Sequence, residues 1–167
     1  QPDERKGCCS MILYHGSYLA IPSPDLLHSR QTVDFGRGFY TTPLYEQASK
    51  WAEKFKRRSK AGVISIYDFD EAAFQKLNTL RFDSYSEEWL DFILTCRAGK
   101  DASNYDVVVG GVANDKIFNT IELYFDNLID KKEAIRRLRY EKPNLQICFR
   151  TQKAIEEYLC YKGSEPI

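Results

Sequence analysis

The spacing of apolar residues changes along the chain, and each change predicts a different element. From Leu44 to Phe55 the apolar positions recur three or four residues apart, which predicts an amphipathic helix that ends near Gly62. Short runs rich in β-branched and aromatic residues predict strands at 11–14, 63–69 and 105–109. Proline and polar residues between 19 and 33 predict a loop that carries a turn of helix.

The second half of the chain alternates helix and strand signals. Ser84 or Ser86 is a candidate N-cap for a helix that contains Trp89, and Asp130 with Glu133 forms a capping-box pattern. A further helix is predicted at 116–124 and a short one at 151–158, with a strand-like tail at 159–162. In the run 145–149, residues alternate between aliphatic and other types, so Gln146 is expected to point away from the aliphatic face of a strand.

These elements predict one α+β domain with a split, mostly antiparallel sheet around a cleft and helices on its flanks. The chain has 167 residues and is 43% hydrophobic, which is enough for a single core. We expect that domain to span 11–167 and residues 1–10 to be a tag remnant or a disordered extension, because the only methionine is Met11.

Composition narrows the classes of partner. Lysine plus arginine and aspartate plus glutamate both number 24, so a nucleic-acid partner would need a local basic patch. The apolar runs are far shorter than the roughly 20 residues of a membrane helix, and we expect a cytoplasmic protein without membrane contact. Five cysteines without C-x-x-C spacing and two histidines predict no metal site.

Two short motifs carry the candidate chemistry. Tyr14-His15-Gly16-Ser17 follows the first predicted strand and combines a hydrogen-bonding ring with an open backbone. About twenty residues later, the run 36–42 reads Gly-Arg-Gly-Phe-Tyr-Thr-Thr, and Trp51 follows on the predicted helix. Because both motifs end strands, we expect His15 and Tyr40 to lie on adjacent strands and to face one cleft.

Together the two motifs resemble those of the ADP-ribosyltransferase superfamily, in its diphtheria-toxin and poly(ADP-ribose) polymerase branch. The chain is also similar to a bacterial family of that superfamily. The resemblance implies that NAD binds as a substrate and that Tyr40 and Trp51 sandwich its nicotinamide ring. It further implies that His15 bonds the adenosine ribose and that the Gly16 backbone holds the carboxamide. The remaining contacts to NAD would come from Ser17, Gly38, Phe39 and Thr42.

The third motif of that branch departs from the pattern. Where the branch has a glutamate at the start of a late strand, this chain has Gln146. The resemblance therefore implies a catalytic set of His15, Tyr40 and Gln146, with Gln146 on a strand beside that of His15. A neutral amide orients a ribose hydroxyl but supplies no charge, which favours mono-ADP-ribosyl transfer over chain building. Glu122, which reads as helical, is the alternative carboxylate.

Several alternatives remain open at this stage. The domain could bind NAD or ADP-ribose without turnover, act as an RNA 2'-phosphotransferase, or serve as an interaction scaffold. The acceptor, protein or nucleic acid, is not encoded in any readable motif. Toxin-like use, with an antitoxin-like protein partner, is an expectation from the resemblance.

Each of these signals also has a structural interpretation. His15-Gly16 could be an ordinary turn, and Tyr40 and Trp51 could be core aromatics. The basic runs at 56–60 and 136–139 read as solvated helix faces. Asp106 and the turn 113–115 could be polar cleft residues or helix caps. No nearby charge marks Cys148 as a nucleophile.

Overall fold

Strands and short helices alternate along the chain. The computed structural model describes residues 9–27, 33–58, 60–139 and 144–167. The elements of these residues, in chain order, are β1 (Ser10–Ser17), β2 (Phe39–Thr41), α1 (Tyr45–Arg57), β3 (Val63–Asp70), α2 (Ala73–Lys76), β4 (Thr79–Arg81), α3 (Glu87–Arg97), β5 (Val107–Gly110), α4 (Asp115–Phe125), α5 (Lys131–Leu138), β6 (Gln146–Phe149), α6 (Gln152–Tyr158) and β7 (Leu159–Pro166).

The strands form two sheets that meet at one edge of each. One sheet has the order β1-β3-β7 and is antiparallel throughout, and the other has the order β2-β6-β5-β4 with a parallel pair only between β4 and β5. Between the sheets, Tyr14 and Thr42 exchange two backbone hydrogen bonds of 2.8 and 2.9 Å. The chain is thus an α+β domain with mostly antiparallel pairing.

Two apolar clusters lie on opposite faces of the second sheet. Ile147 and Phe149 of β6 pack with Tyr67 and Phe69 in one cluster, whereas Cys148 packs in a cluster around Trp89. This alternation is the one that the sequence of 145–149 predicts, because successive strand residues face opposite sides. Both faces are buried, however, so the second face of β6 is core rather than solvent-facing surface.

Side-chain caps begin several helices where the sequence predicts them. The Ser86 hydroxyl accepts a hydrogen bond from Trp89 N, so Ser86 rather than Ser84 is the N-cap of α3. Asp130 accepts from Glu133 N at 2.8 Å and begins α5, as its capping-box pattern indicates. Such caps satisfy amide groups that the first helical turn leaves unpaired.

Several predicted boundaries need correction. Ser10 belongs to the fold, because β1 begins there and pairs Ser10 with Asp70. Helix α2 and strand β4 have no counterpart among the predicted elements, and β7 extends to Pro166 instead of ending at 162. The part of the predicted 19–33 loop that the structure describes has no regular element, while 28–32 and 1–8 lie outside the described residues.

Candidate functional site

Two cavities flank Tyr40 where β1 and β2 diverge beyond the bridge between the sheets. The larger, of about 620 Å³, contains Gln146 and is called the Gln146 cavity. The other, of about 540 Å³, contains His15 and is called the His15 cavity. Tyr40 and Val33 line both, so the two cavities adjoin. Each volume falls in the range of roughly 300–1,000 Å³ that is typical of ligand pockets.

His15 lies on β1 and contacts the neighbouring strand through its ring. Its Nδ1 donates to the Tyr40 carbonyl oxygen at 2.6 Å, and its ring stacks on Phe39 at 4.4 Å between centroids. His15 and Tyr40 thus lie on strands that adjoin, as predicted, but these are the edge strands of two sheets joined by the Tyr14–Thr42 bridge, and both residues line the His15 cavity. Burial lowers the pKa of His15, although the bond to Tyr40 opposes that shift. The neutral ring then keeps Nε2 as a hydrogen-bond acceptor.

Gly16 is required by helix packing. A Cβ at Gly16 would lie 2.1 Å from the Ala48 carbonyl oxygen and 2.8 Å from Ala52 N, both on α1. The amide and carbonyl of Tyr14 point toward Thr42 on β2 and away from β3. Because backbone groups two residues apart in a strand point to the same edge, those of Gly16 also point away from β3. The glycine thus lets α1 approach β1 while its amide and carbonyl face the gap between β1 and β2.

Tyr40 separates the two cavities and fixes the turn that precedes β2. Its hydroxyl donates to the Gly36 carbonyl at 2.6 Å and accepts from Phe35 N at 2.8 Å. Burial, followed by nearby Cys148, raises the pKa of the Tyr40 hydroxyl well above its ordinary value. The phenol therefore stays protonated and acts as a donor, and Tyr40 is one of the residues that line both cavities.

Trp51 faces the Gln146 cavity from α1, together with three other residues of that helix. The turn-to-turn spacing of Gln47, Lys50, Trp51 and Lys54 places all four at the cavity. Lys116, at the start of α4, lines the cavity from the other side. The structure thus brings Tyr40, Trp51 and Gln146 together in one space with three lysines at its margin.

Gln146 begins β6, but its strand neighbours differ from the prediction. β6 pairs with β2 and β5, so the expectation that Gln146 lies on a strand beside that of His15 is wrong: β2 lies between them. The side chain is 2% exposed and lines the Gln146 cavity. Its Nε2 donates to the Gly111 carbonyl at 3.2 Å and to Asp34 Oδ2 at 3.3 Å.

Asp34 is a site residue that the sequence analysis missed. It lies in a turn closed by Gly36 N and the Val33 carbonyl at 2.9 Å, and it lines the Gln146 cavity. Its Oδ1 accepts from Arg97 at 2.5 Å, while Oδ2 accepts from the Ala113 amide at 3.1 Å. The sequence offers only a weak signal, because aspartate two residues before a glycine is common in ordinary turns.

The other predicted contacts to NAD divide between the cavity and the core. Ser17, Gly38 and Phe39 line the His15 cavity. Gly38 also allows a close approach, since a Cβ there would meet the Cys148 sulfur at 2.4 Å. Thr42 reaches neither cavity: it is fully buried, its hydroxyl donates to the Leu145 carbonyl at 2.7 Å, and we correct its assignment to a structural one.

The remaining candidates of the sequence analysis take structural places. Glu122 is exposed on α4 and lines neither cavity. Asp106 accepts from Asn78 N and from the Thr151 hydroxyl, so it joins loops outside the cavities. Asn114 caps α4 and also lines the Gln146 cavity. Burial raises the pKa of the Cys148 thiol to about 12, which argues against a nucleophile.

The described basic residues of both runs lie on the surface. Arg136 and Arg137 both pair with Glu133 and lower its pKa to about 2, chiefly through the bond from Arg136. In the 56–60 run, Ser59 lies outside the described residues, and Lys56 and Arg57 are exposed. Neither run lines either cavity.

The described residues contain neither a cluster of metal-ligating side chains nor a helix that could span a membrane. Over 9–27, 33–58, 60–139 and 144–167, no group of three histidine, cysteine or acidic side chains is placed to hold a metal ion. In the same ranges, no helix has both the length and the apolar content to cross a bilayer.

Fold and site together define an α+β domain with two adjoining cavities where its sheets meet. A family model, described as a protein of unknown function (DUF3990), matches residues 11–161. The chain therefore belongs to the DUF3990 family. No curated protein and no solved structure matches the chain.

Proposed function

We propose that this chain is an NAD-dependent mono-ADP-ribosyltransferase with an ADP-ribosyltransferase-like fold. One observation carries the proposal: Tyr40, Trp51 and Gln146 line one cavity, and His15 lines the adjoining cavity across Tyr40. That arrangement suits a ligand with an aromatic end in one cavity and a ribose-containing end in the other. It also agrees with the resemblance drawn from the two sequence motifs.

Each half of NAD has a matching environment. The nicotinamide ring would stack on Tyr40 and Trp51, which line the same cavity. The resemblance implies that its carboxamide lies at the Gly16 backbone, which lines neither cavity. The adenosine half enters the His15 cavity, where the neutral His15 Nε2 accepts a hydrogen bond from a ribose hydroxyl. Gln146 then meets the ribose that is attached to nicotinamide.

The reaction breaks one bond and forms one bond at the same carbon. The bond from ribose C1' to the pyridinium nitrogen breaks, and nicotinamide leaves as a neutral molecule with the bonding electron pair. A nucleophilic oxygen or nitrogen of the acceptor attacks C1' from the opposite face and loses its proton to solvent. With water in place of the acceptor, the products are nicotinamide, ADP-ribose and a proton. Stacking and hydrogen bonds contribute by holding the reacting atoms in line.

A binding role without turnover is the second candidate, and the identity of Gln146 favours it. The side chain is neutral and cannot place a full charge beside the developing oxocarbenium ion. A domain that senses NAD or ADP-ribose needs the two cavities but not the charge. Release of nicotinamide separates the two roles, because a sensing module binds NAD without consuming it.

The lysines at the Gln146 cavity give a specific reason to test RNA 2'-phosphotransfer as well. Lys50, Lys54 and Lys116 supply the basic groups that such an enzyme uses toward an anionic substrate. Purified protein incubated with NAD and a 2'-phosphorylated RNA oligonucleotide would consume the phosphate if this alternative holds. A reaction that labels other macromolecules and leaves that phosphate intact would support mono-ADP-ribosyl transfer.

The first prediction tests the proposed nicotinamide site. Trp51→Ala and Tyr40→Ala should each weaken NAD binding by about fivefold or more, since stacking on a ring contributes on the order of 1 kcal/mol. The measurement is calorimetric titration with NAD, followed by nicotinamide release and by transfer of labelled ADP-ribose to a cell lysate. Separate protein and nucleic-acid gels identify the acceptor class.

The matched control for this prediction is Tyr45→Ala, on the same helix. Tyr45 is 42% exposed and lines neither cavity. Among the described residues, its hydroxyl bonds Glu165 and its ring packs edge-on against Tyr14 at 5.3 Å between centroids. It should bind NAD as the unsubstituted protein does. Unchanged NAD affinity in folded Trp51→Ala and Tyr40→Ala proteins would contradict the proposed site.

A further inference from the structure

The amide of Gln146 has only one arrangement that satisfies its neighbours. Its nitrogen lies 3.2 Å from the Gly111 carbonyl and 3.3 Å from Asp34 Oδ2. A carbonyl oxygen and a carboxylate oxygen accept hydrogen bonds but cannot donate them. Both Nε2 hydrogens are therefore used, and rotating the amide by 180° would place its oxygen against two other oxygens.

This arrangement leaves the Gln146 oxygen available to a ligand. Among the described residues, no donor bonds Oε1. Oε1 is also absent from the set of fully buried polar atoms that lack a partner, so it is in contact with open space. Gln146 lines the cavity, and Oε1 is the polar atom of its side chain that the described residues leave unengaged, so Oε1 is the atom that a ligand there would meet. The side chain thus presents an acceptor to the cavity, as the oxygen of a glutamate would, while its donor side is turned inward.

Asp34 is the group that makes this orientation obligatory. Its known partners are Arg97, the Ala113 amide and Gln146, and all three are donors. An uncharged amide at position 34 has one oxygen and one NH₂ group, so at least one partner would face a donor instead of an acceptor. With its oxygen held by Arg97, its NH₂ group would face Nε2 and drive the Gln146 amide to turn over.

We infer that Asp34 is a positioning residue for the reaction at Gln146, an inference that rests on the proposed transfer. Asp34 orients Gln146 so that Oε1 accepts the hydroxyl of the nicotinamide ribose. A hydrogen bond from Nε2 to a carboxylate also draws electron density toward Oε1, which strengthens Oε1 as an acceptor. The Asp34–Gln146 pair thereby takes the place of the single glutamate at the start of the late strand.

The test is a double-mutant cycle on kcat for nicotinamide release. Asp34→Asn should lower kcat about tenfold or more, the effect expected for loss of a hydrogen bond to a charged group. In a Gln146→Ala background the same substitution should change kcat by less than about twofold, because nothing remains to orient. NAD affinity, measured by calorimetry, should fall by less than kcat does in the first comparison.

Asp101→Asn is the matched control. Asp101 pairs with Arg150, and its side chain is 13% exposed, as is that of Asp34. It does not line the Gln146 cavity, so it should lose stability to a similar degree while kcat stays near that of the unsubstituted protein. Equal losses of kcat from Asp34→Asn in both backgrounds, or equal losses from Asp101→Asn, would overturn the inference.

A rescue experiment separates charge from folding. Gln146→Glu alone sets two carboxylates side by side and should lower kcat, whereas Asp34→Asn/Gln146→Glu moves the charge to position 146 and pairs it with an amide donor. The double variant should therefore exceed both single variants in kcat. A double variant that is slower than either single variant would count against positioning by Asp34.

A spectroscopic readout keeps the inference separate from the proposed transfer. In a sample labelled with ¹⁵N-glutamine, the Gln146 side-chain resonances, identified by their loss in Gln146→Ala, should show slow hydrogen exchange. They should shift and lose protection in Asp34→Asn but not in Asp101→Asn. If neither the unsubstituted protein nor any variant releases nicotinamide, the transfer proposal fails, but the orientation of Gln146 by Asp34 can still be tested by these resonances. Unchanged resonances in Asp34→Asn would overturn the orientation itself.

Discussion

Tyr40 shows how one side chain serves both the fold and the candidate site. Its hydroxyl satisfies the Phe35 amide and the Gly36 carbonyl, and the residue lines both cavities. The turn held in this way also carries Asp34, which orients Gln146. The effects of the hydroxyl and of the ring can be separated, because phenylalanine keeps the ring alone.

The prediction for Tyr40→Phe follows from that separation. The substitution leaves two backbone groups of a partly buried turn without partners and should lower the free energy of unfolding by about 1–3 kcal/mol. NAD affinity should change less than in Tyr40→Ala, because the stacking surface is kept. Chemical denaturation and calorimetry measure the two effects, with Tyr45→Phe as the surface control. A stability equal to that of the unsubstituted protein would mean that water replaces the hydroxyl at no cost.

The limits of sequence interpretation at this scale are visible in Asp34. His15, Tyr40 and Trp51 could be singled out because they belong to motifs with fixed spacing. Asp34 could not, since its importance depends on Arg97 and Gln146, which lie 63 and 112 residues away along the chain. Thr42 shows the opposite error: it belongs to a motif, yet its hydroxyl bonds the chain at Leu145.

At the scale of elements, the contact between β1 and α1 determines where Trp51 lies. Helix α1 passes so close to Gly16 that a methyl group would overlap the Ala48 carbonyl oxygen. The hydrophobic period of 44–55 predicted the helix, and the first motif drew attention to Gly16. Their contact was not predictable, because periodicity gives the buried face of a helix but not the element against which it packs.

Gly16→Ala should accordingly destabilise the protein through this contact. Forcing a methyl group between packed backbones typically costs about 1–3 kcal/mol or more, and moving α1 would also displace Trp51 and weaken NAD binding. Gly99→Ala is the comparison: the space around Gly99 is open, but its φ of 69° disfavours a side chain. That variant should lose about 1 kcal/mol and keep its NAD affinity. Equal NAD affinity in both variants would argue against a role of α1 packing in binding.

Elements of three or four residues mark the limit of prediction at this scale. Helix α2 and strand β4 span Ala73–Lys76 and Thr79–Arg81, lengths over which neither a helical nor an alternating period can be recognised. The order of the strands in the two sheets could not be predicted from the sequence either. The position of β6 between β2 and β5 depends on two long-range pairings, and the one with β2 joins residues as far apart as Phe39 and Phe149, so the neighbour of Gln146 was misplaced.

For the whole molecule, the buried imidazole of His15 links stability to pH. Burial lowers the pKa of His15 in the folded protein, so the unfolded chain binds a proton more readily. The stabilisation is complete above the ordinary pKa of histidine and is lost as the pH falls through the lower folded value. We expect the free energy of unfolding to decrease on acidification below about pH 6.5.

Denaturation curves collected between about pH 7.5 and 5 would measure this dependence. His15→Asn, which cannot titrate in this range, should be less stable at neutral pH but should show a flatter profile. If the substituted protein loses stability on acidification as steeply as the unsubstituted one, another group must be responsible for the dependence.

The shared wall between the two cavities has a consequence for inhibitor design. Tyr40 and Val33 line both cavities, so fragments found separately for each cavity would have these two residues as common neighbours and could be joined past them. Joining two weak fragments makes the second binding event intramolecular, with an effective concentration on the order of millimolar for a short linker. The linker would need to bend around Tyr40. The Tyr40 hydroxyl is bonded to Phe35 N and to the Gly36 carbonyl, so the position of this side chain is defined for ligand design.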